Sequence, residues 1–455
     1  MMRGHVAMNA LHSLLCASVA LFVVTPAWAQ DADDASSSST VQDELVVVAS
    51  GVEQPVAETG RAVTTIDRAE IERRQTVVLS DLLATTPGVT VTRNGGVGTV
   101  TSVRIRGAES EQTLVLIDGV RVNDPSNPGA SFDFGNLLAG SVERVEVLRG
   151  PNSVVWGSQA VGGVVNVVTA DADGPLARGN VEYGYADTVS ANAALSGRSG
   201  AFSGAVTGGY YRTDGISAAA NGNEKDGYRQ YGATGRLGIE FAPGVSLDLR
   251  AYYADSRTDL DGFPPPTYGF ADTDEYSTAQ EIYGYAGLSA RVAGINNRIA
   301  FTIADINRDN YDPASGSAPT FIGRGRSERY LYRGDTRIGA IAQAVFGVEH
   351  EDTRFDDGST EYSTGMTSGY AELILRPVDA LTLTGGVRYD DHRMFGNRTT
   401  FGANIAYAAG PGTVFRASDG EGVKAATLYQ LYSYYGDPTL TPESSESGEA
   451  GGDER

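Results

Sequence analysis

The sequence predicts an outer-membrane antiparallel β-barrel, incomplete at about 12–13 strands, behind a small N-terminal α/β domain. Three observations carry this. Apolar and polar residues alternate with period two after residue 178; tight turns alternate with long polar loops; and the chain opens on an export-type segment. All 23 tyrosines lie at or beyond Tyr183, which marks a boundary between two regions of different composition.

Residues 1–29 read as a signal peptide: Arg3 supplies the positive start, residues 11–24 are mostly apolar, and Ala27-Trp28-Ala29 offers a small-residue cleavage site. Residues 30–42, rich in aspartate and serine, read as a flexible leader. Residues 43–49 hold the short β-branched strand Leu45-Val46-Val47-Val48.

Residues 50–172 read as the α/β domain. Asp67 caps a helix to Arg74, with Glu70 placed for a capping box, and Ser80 caps a second short helix that stops before Pro87-Gly88. Apolar runs at 89–92, 100–105, 114–117, 142–148 and 164–168 read as strands, the fourth carrying a polar face of Glu143, Arg144 and Glu146. Asp171-Ala172-Asp173-Gly174-Pro175 is a turn into the second region.

Residues 178–455 form the partial barrel. Val245, Leu247 and Leu249 alternate with Ser246, Asp248 and Arg250; Leu237, Ile239 and Phe241 alternate with Arg236, Gly238 and Glu240. One face is apolar with tyrosine near its ends and the other is polar or tiny, which suits lipid outside and a wet lumen inside. Tight turns are expected at 197–200, 243–244, 294–297, 377–379 and 410–412, and long loops at 212–227, 257–275 and 309–325. A soluble sandwich also alternates, but it has no reason to segregate long loops to one end.

Composition removes several function classes. With 57 acidic and 35 basic side chains the net charge is −22, unsuited to a nucleic-acid binder. Cys16 is the single cysteine and lies in the export segment, as do His5 and His12, leaving His350 and His392 as the histidines of the exported chain. Cys/His zinc sites, thiol nucleophiles and disulfide frameworks are therefore excluded, and no catalytic constellation stands out. No run of ~18 apolar residues follows the export segment, so any membrane must be crossed by strands.

The ordered motifs Leu82-Leu83 to Pro87-Gly88-Val89, Arg104-Ile105-Arg106-Gly107, Leu114-Val115-Leu116-Ile117-Asp118-Gly119-Val120, residues 142–151 and residues 156–166 resemble the TonB-dependent outer-membrane receptors. Glu53-Gln54-Pro55 and residues 94–98 resemble, more weakly, the vitamin B12 (cobalamin) branch, as do Leu428-Tyr429-Gln430-Leu431-Tyr432 and Gly436-Asp437-Pro438. The resemblance covers residues 43–443. It implies that residues 50–172 are a plug inside the barrel and that Glu44, Leu45, Val46, Val47, Val48 and Ala49 are the TonB box, an extended segment that adds as a strand to the periplasmic domain of TonB. The implied activity is energy-coupled uptake of a large scarce ligand, cobalamin or another corrinoid, with a ferric siderophore as the alternative; no catalytic cofactor is implied.

The resemblance also places a substrate surface on the turns at 94–102 and 123–128, with Val100, Ser102, Asn127 and Pro128 where cobalamin receptors touch ligand. Of these only Ser102 is of the family's type, and Glu109 stands where a small amide is usual. Asp214, Glu224, Asp226, Asp261 and Asp272 fall where that branch holds Ca2+; hard oxygen donors suit the ion, and acidic loops are equally well solvated without it. Arg106 and Arg149 are expected to pair with Glu143, Glu146 or barrel carboxylates.

The strand count falls short of the family's roughly 22, and Arg455 stands where an aromatic end is expected, which implies a fragment, a decayed gene or a chain completed by another polypeptide. A passive porin or adhesin, or a non-functional fragment, are the readings of another class.

Overall fold

The computed structural model describes residues 45–46, 50–169, 172, 174–220, 222–410 and 412–454. The segments expected to be a signal peptide and a leader lie outside the described residues, as do Glu44, Val47, Val48 and Ala49 of the expected TonB box and Asp171 and Asp173 of the expected turn between the regions. Among the described residues no helix is long and apolar enough to cross a membrane.

The inner domain begins with β1 (Leu45–Val46), folded back antiparallel on β2 (Gln54–Pro55). It continues through β3 (Val63–Asp67), α1 (Arg68–Arg74), α2 (Leu79–Leu83), β4 (Val89–Arg93), β5 (Thr101–Ile105), β6 (Thr113–Ile117), β7 (Val120–Arg121), β8 (Val142–Arg149), α3 (Ser153–Trp156) and β9 (Gly163–Thr169). Five of these strands make a mixed sheet in the order β3-β8-β9-β6-β7, with β6 and β9 parallel, while β4 and β5 form a separate hairpin. The uninterrupted run Thr113-Leu114-Val115-Leu116-Ile117 is buried at every position, as a strand covered on both faces requires. It turns into β7 through Asp118 (φ 50°) and Gly119 (φ 84°), the two positive-φ residues of a tight hairpin whose twist matches its strands. The Asp118 carboxylate then accepts from Thr169 N–H (2.9 Å) and Thr169 Oγ1 (2.6 Å), tying the turn to β9.

The helix starts differ from expectation in an instructive way. Asp67 does cap α1, accepting from Glu70 N–H at 2.8 Å, but the Glu70 carboxylate turns to Arg73 and Arg74 instead of closing the box. Ser80 is no cap: it lies inside α2, fully buried, and its hydroxyl accepts from Arg93 at 2.8 Å.

The second region is one antiparallel sheet in chain order. It comprises β10 (Leu176–Gly184), β11 (Thr188–Ser199), β12 (Phe202–Thr213), β13 (Tyr228–Ala242), β14 (Val245–Gly262), β15 (Ala271–Val292) and β16 (Ile295–Tyr311). There follow β17 (Pro319–Ile338), β18 (Ala342–Asp356), β19 (Glu361–Val378), β20 (Leu381–His392), β21 (Gly396–Gly410), β22 (Thr413–Lys424) and β23 (Glu443–Glu454). The sheet thus has 14 strands, more than the 12–13 expected. Alternation undercounts because β23 (ESSESGEAGGDE) has no large apolar residue and is recognised only by its pairing with β22. Among the described residues, β10 and β23 are the sheet's edges.

Connections at 200–201, 243–244, 293–294, 339–341, 379–380 and 411–412 fall on one rim; those at 185–187, 214–227, 263–270, 312–318, 357–360, 393–395 and 425–442 fall on the other. The long loops are shorter than expected because β14 to β17 run on into them, keeping their ladders beyond the apolar band.

Outward positions such as Leu237, Ile299 and Tyr330 are exposed, as lipid-facing residues are. The inward face is drier than a wet lumen. Tyr252, Tyr283, Tyr285, Ala300, Ala304 and Ile306 join Ile71, Leu82, Leu83, Val103 and Val145 of the inner domain in one hydrophobic cluster. The inner domain is therefore packed as a plug against β14–β16.

Leu83 is fully buried in that cluster. Leu83→Ala is expected to lower the plug's unfolding free energy by about 2–5 kcal/mol, read as a shift of the urea midpoint of Trp156 fluorescence; an unchanged midpoint would show that the plug gains nothing from this core.

Candidate functional site

Two plug apices rise to the long-loop rim. The first is the β4–β5 tip, where Asn94 N–H donates to Val100 C=O (3.1 Å) and Thr99 N–H to Gly96 C=O (3.4 Å). Gly98 (φ 88°) lies so close to the Tyr228 ring that any Cβ there would collide with it, and Thr258 Oγ1 donates to the Gly98 carbonyl at 3.1 Å. Asp133 fixes the base of the tip by accepting from Thr101 N–H and Gly135 N–H, each at 2.9 Å. The second apex spans 123–131. Asp124 accepts from Ser126 N–H (2.8 Å) and Oγ (2.7 Å), and Asn127 N–H donates to the Asp124 carbonyl (3.0 Å). Burial pushes both Asp124 and Asp133 above the usual carboxylate range, with Arg308 working the other way.

Of the expected substrate residues, Val100 is half exposed at the first tip and Pro128 is exposed on the second apex. Ser102 is partly buried in β5 opposite Thr92. Asn127 is buried, and its Nδ2 donates to the Ser131 carbonyl at 3.1 Å, so its amide serves the turn.

The acidic loops converge in part. Glu224, Asp261 and Asp272 each place a carboxylate oxygen within 4.8 Å of the others. Asp226 stands beside them: one oxygen accepts from Ala218 N–H at 2.6 Å, and the other is buried without a hydrogen-bond partner, as is Glu224 Oε2. Asp214 does not join; it is held by Arg212 (2.8 Å) and Lys225 (3.4 Å). Burial, with the neighbouring carboxylates Asp226, Asp261 and Asp272, pushes Glu224 up to about 7. Burial, opposed by the Ala218 N–H and reinforced by Asp261, pushes Asp226 up to about 6.

The contact between plug and wall is where sequence reasoning missed most. Arg121 of β7 reaches Glu349 (3.1 Å) and Glu351 (2.9 Å) on β18, and Arg388 of β20 reaches Glu349 (2.6 Å) and Asp390 (2.7 Å). Arg329 of β17 closes on Glu349 as well. Arg388 and Glu349 are almost wholly buried, so the network lies out of water. The available signal was the inward parity of Arg329, Glu349 and Arg388 against an apolar outward face. Arg106 does pair with a wall carboxylate, Glu449 of β23, but Arg149 donates to the Pro87 carbonyl (2.8 Å). Neither arginine pairs with Glu143 or Glu146, which bind Arg178 (3.4 Å) and Arg144 (2.9 Å).

A plug seated in a strand wall, with a short N-terminal strand at its entry, is matched by two family models: the TonB-dependent receptor plug domain over residues 55–164 and the TonB-dependent receptor-like β-barrel over residues 165–453. The chain belongs to the TonB-dependent receptors. Members of this family are outer-membrane transport receptors, not enzymes.

The receptor is also similar in fold to solved structures. The siderophore receptor PirA from Acinetobacter baumannii aligns at a TM-score of 0.74 and 19% identity, over 88% of this chain and 69% of that one. A variant of the ferric enterobactin receptor PfeA from Pseudomonas aeruginosa aligns at 0.74 and 20%, over 90% and 71%. The ferric yersiniabactin uptake receptor FyuA from Yersinia pestis aligns at 0.67 and 17%, over 87% and 70%.

Replacing Glu349 by alanine would leave Arg121, Arg329 and Arg388 facing one another in a dry site. The receptor is expected to lose about 3–5 kcal/mol of plug-docking stability, seen as earlier proteolysis of the plug and a lower melting temperature. Glu351→Gln, at a wetter position, should cost clearly less.

Proposed function

We propose that this receptor imports an anionic ferric siderophore across the outer membrane, with residues 44–49 as the segment that TonB grips. The observation that carries the import reading is the plug: a lumen filled by a packed domain passes a large solute only when that domain is moved, and the outer membrane offers no nucleotide to move it. A pull from the periplasm supplies the work, and an extended segment that pairs as a strand gives the grip. Leu45–Val46 already pairs with Gln54–Pro55, so docking would exchange an internal strand partner for an external one.

The siderophore reading draws support from the named ligands of the structural neighbours, ferric enterobactin and ferric yersiniabactin among them. A corrinoid is the second reading, favoured by Glu53-Gln54-Pro55 and by the glycine-rich tip at 94–98. Against it, only Ser102 of the four apex positions is of that branch's type, and Asn127 is engaged in its own turn. Val100, Ser102 and Pro128 would line the ligand's first contact on either reading.

Cells expressing the receptor should take up 55Fe-labelled ferric enterobactin in preference to labelled cyanocobalamin. Deleting residues 44–49 should abolish uptake and leave surface binding intact. Uptake that survives the deletion would refute the energised mechanism, and preference for cyanocobalamin would reverse the ligand assignment.

The acidic loops fit a calcium ion. Glu224, Asp261 and Asp272 present converging hard oxygens, and the orphaned oxygen of Asp226 offers a fourth donor. Bound there, the ion would tie the 214–227 loop to the start of β15. Because Glu224 and Asp226 titrate upward, their protonated forms are favoured in the folded loops. Ion-free loop packing should therefore weaken as pH rises through 6–7, while calcium affinity rises over the same interval. Titration calorimetry with CaCl2 should show binding tightening by about tenfold or more from pH 6 to pH 8, with release of protons at the lower pH. Glu224→Gln should flatten that dependence; affinity that ignores pH in the parent receptor would place the ion elsewhere.

A further inference from the structure

At the short-turn rim, between the plug sheet and the wall, lies a cavity of about 840 Å3. Three of its lining side chains, Arg291 on β15, Arg298 on β16 and Arg333 on β17, come from adjacent strands and occupy inward positions, in phase with Tyr285, Ala300 and Arg329. Arg298 and Arg333 are direct cross-strand partners. Like charges opposed across a ladder destabilise the pair, so this register is unfavourable unless something negative sits between them.

The wall supplies that charge only from a distance: Asp248 acts on Arg298 and Asp335 on Arg333 without either pair coming into contact. Among the described residues none of the three arginines is in an ion pair; Arg298 Nε donates only to Ser289 Oγ (3.1 Å). The nearest acid on the same strand, Asp335, accepts instead from Asn296 Nδ2 at 2.9 Å. The other arginines of the cavity are in ion pairs: Arg144 with Glu146, Arg236 and Arg250 with Asp248, and Arg329 with Glu349. Three guanidinium groups without a contact ion pair among the described residues thus line one cavity, in a chain whose net charge is −22. Planar N–H forks aimed into a shared space suit carboxylate or catecholate oxygens.

One wall of the cavity is Gly51, Val52 and Glu53, separated from 44–49 by Ser50 alone. Gly51 (φ 72°) lies against the Arg333 guanidinium, which a Cβ there would push aside. The arginines are already reachable, Arg291 being exposed, and a pull on the preceding segment would withdraw this wall and widen the cavity.

We propose that Arg291, Arg298 and Arg333 form an anion-binding station beneath the plug, which takes up a multiply charged iron chelate after it leaves the apices and before it enters the periplasm. This rests on the siderophore reading for the identity of the ligand, but the anion site itself can be tested apart from it.

Two arms separate the claims. In the first, citrate is titrated calorimetrically into purified full-length receptor. The parent should bind it saturably, the Arg298→Gln/Arg333→Gln variant at least about tenfold more weakly, and the Arg298→Lys/Arg333→Lys variant close to the parent. Equal binding by parent and glutamine variant, or none by the parent, overturns the proposal. In the second, cells are given 55Fe-labelled ferric enterobactin. The glutamine variant should keep surface affinity and lose most energised uptake, with the lysine variant restoring it. Unchanged uptake overturns the station's role in transit, and joint loss of surface binding and uptake would mark the arginines as structural. A parent that fails to bind ferric enterobactin at the surface sinks the siderophore reading alone, and the citrate arm still decides the site.

Discussion

Hydrocarbon cannot hydrogen-bond a peptide group, and each unpaired N–H or C=O left in it costs several kcal/mol. That constraint organises the whole receptor. It demands continuous antiparallel ladders, which run here from β10 to β23 with only local register shifts. The ladders fix side-chain parity, and parity sends Leu237, Ile299 and Tyr330 to lipid while sending Tyr283, Glu349 and Arg388 to the interior. A wall of this kind curves round a space too wide for its own side chains to fill. The plug is the consequence: an independent mixed sheet whose core continues into the inward aromatics of β14 and β15.

The two halves of the plug–wall contact differ in physical kind. Against β14–β16 the contact is apolar, and its strength scales with buried area and little with direction. Against β17, β18 and β20 it is a buried charge network around Glu349, fully stabilising only when every partner is in place. Small displacements would leave the first nearly intact and break the second. A plug held in this way has one adhesive side and one brittle side, which suits a domain that must stay docked at rest and yield to a directed force.

Much of this was legible in the sequence, because parity and turn chemistry are local. Asp67 announces the start of α1 as a capping residue, which its bond to Glu70 N–H bears out, and alternation announces the barrel. What was hidden depends on partners far along the chain. Ser80 looks like a cap until Arg93 takes its hydroxyl, and β23 lacks any apolar pattern because its place is set by β22. Asp214 is indistinguishable by type from Asp261 and Asp272, yet Arg212 and Lys225 draw it away from them. The Arg121–Glu349 contact joins residues more than two hundred positions apart. Single-sequence reasoning has no handle on that separation beyond noting that both residues are charged where the pattern expects an interior.

Charge is distributed along the lumen axis with a consistent sense. The long-loop rim gathers carboxylates around Glu224, where the proposed calcium ion would bind. The short-turn rim gathers surplus guanidinium around Arg298 and Arg333, where an anion would be needed to relieve the register. Each of these two clusters is thus unfinished in opposite charge. On the proposed reading, an anionic chelate captured under cation-braced loops would move toward the positive end of the lumen. Retention at the lower rim would disfavour its return during the interval in which the plug is displaced. The arginines' mutual repulsion then has a physical purpose: binding relieves it, so the site gains most from a ligand bearing more than one negative charge and little from a neutral solute of the same size.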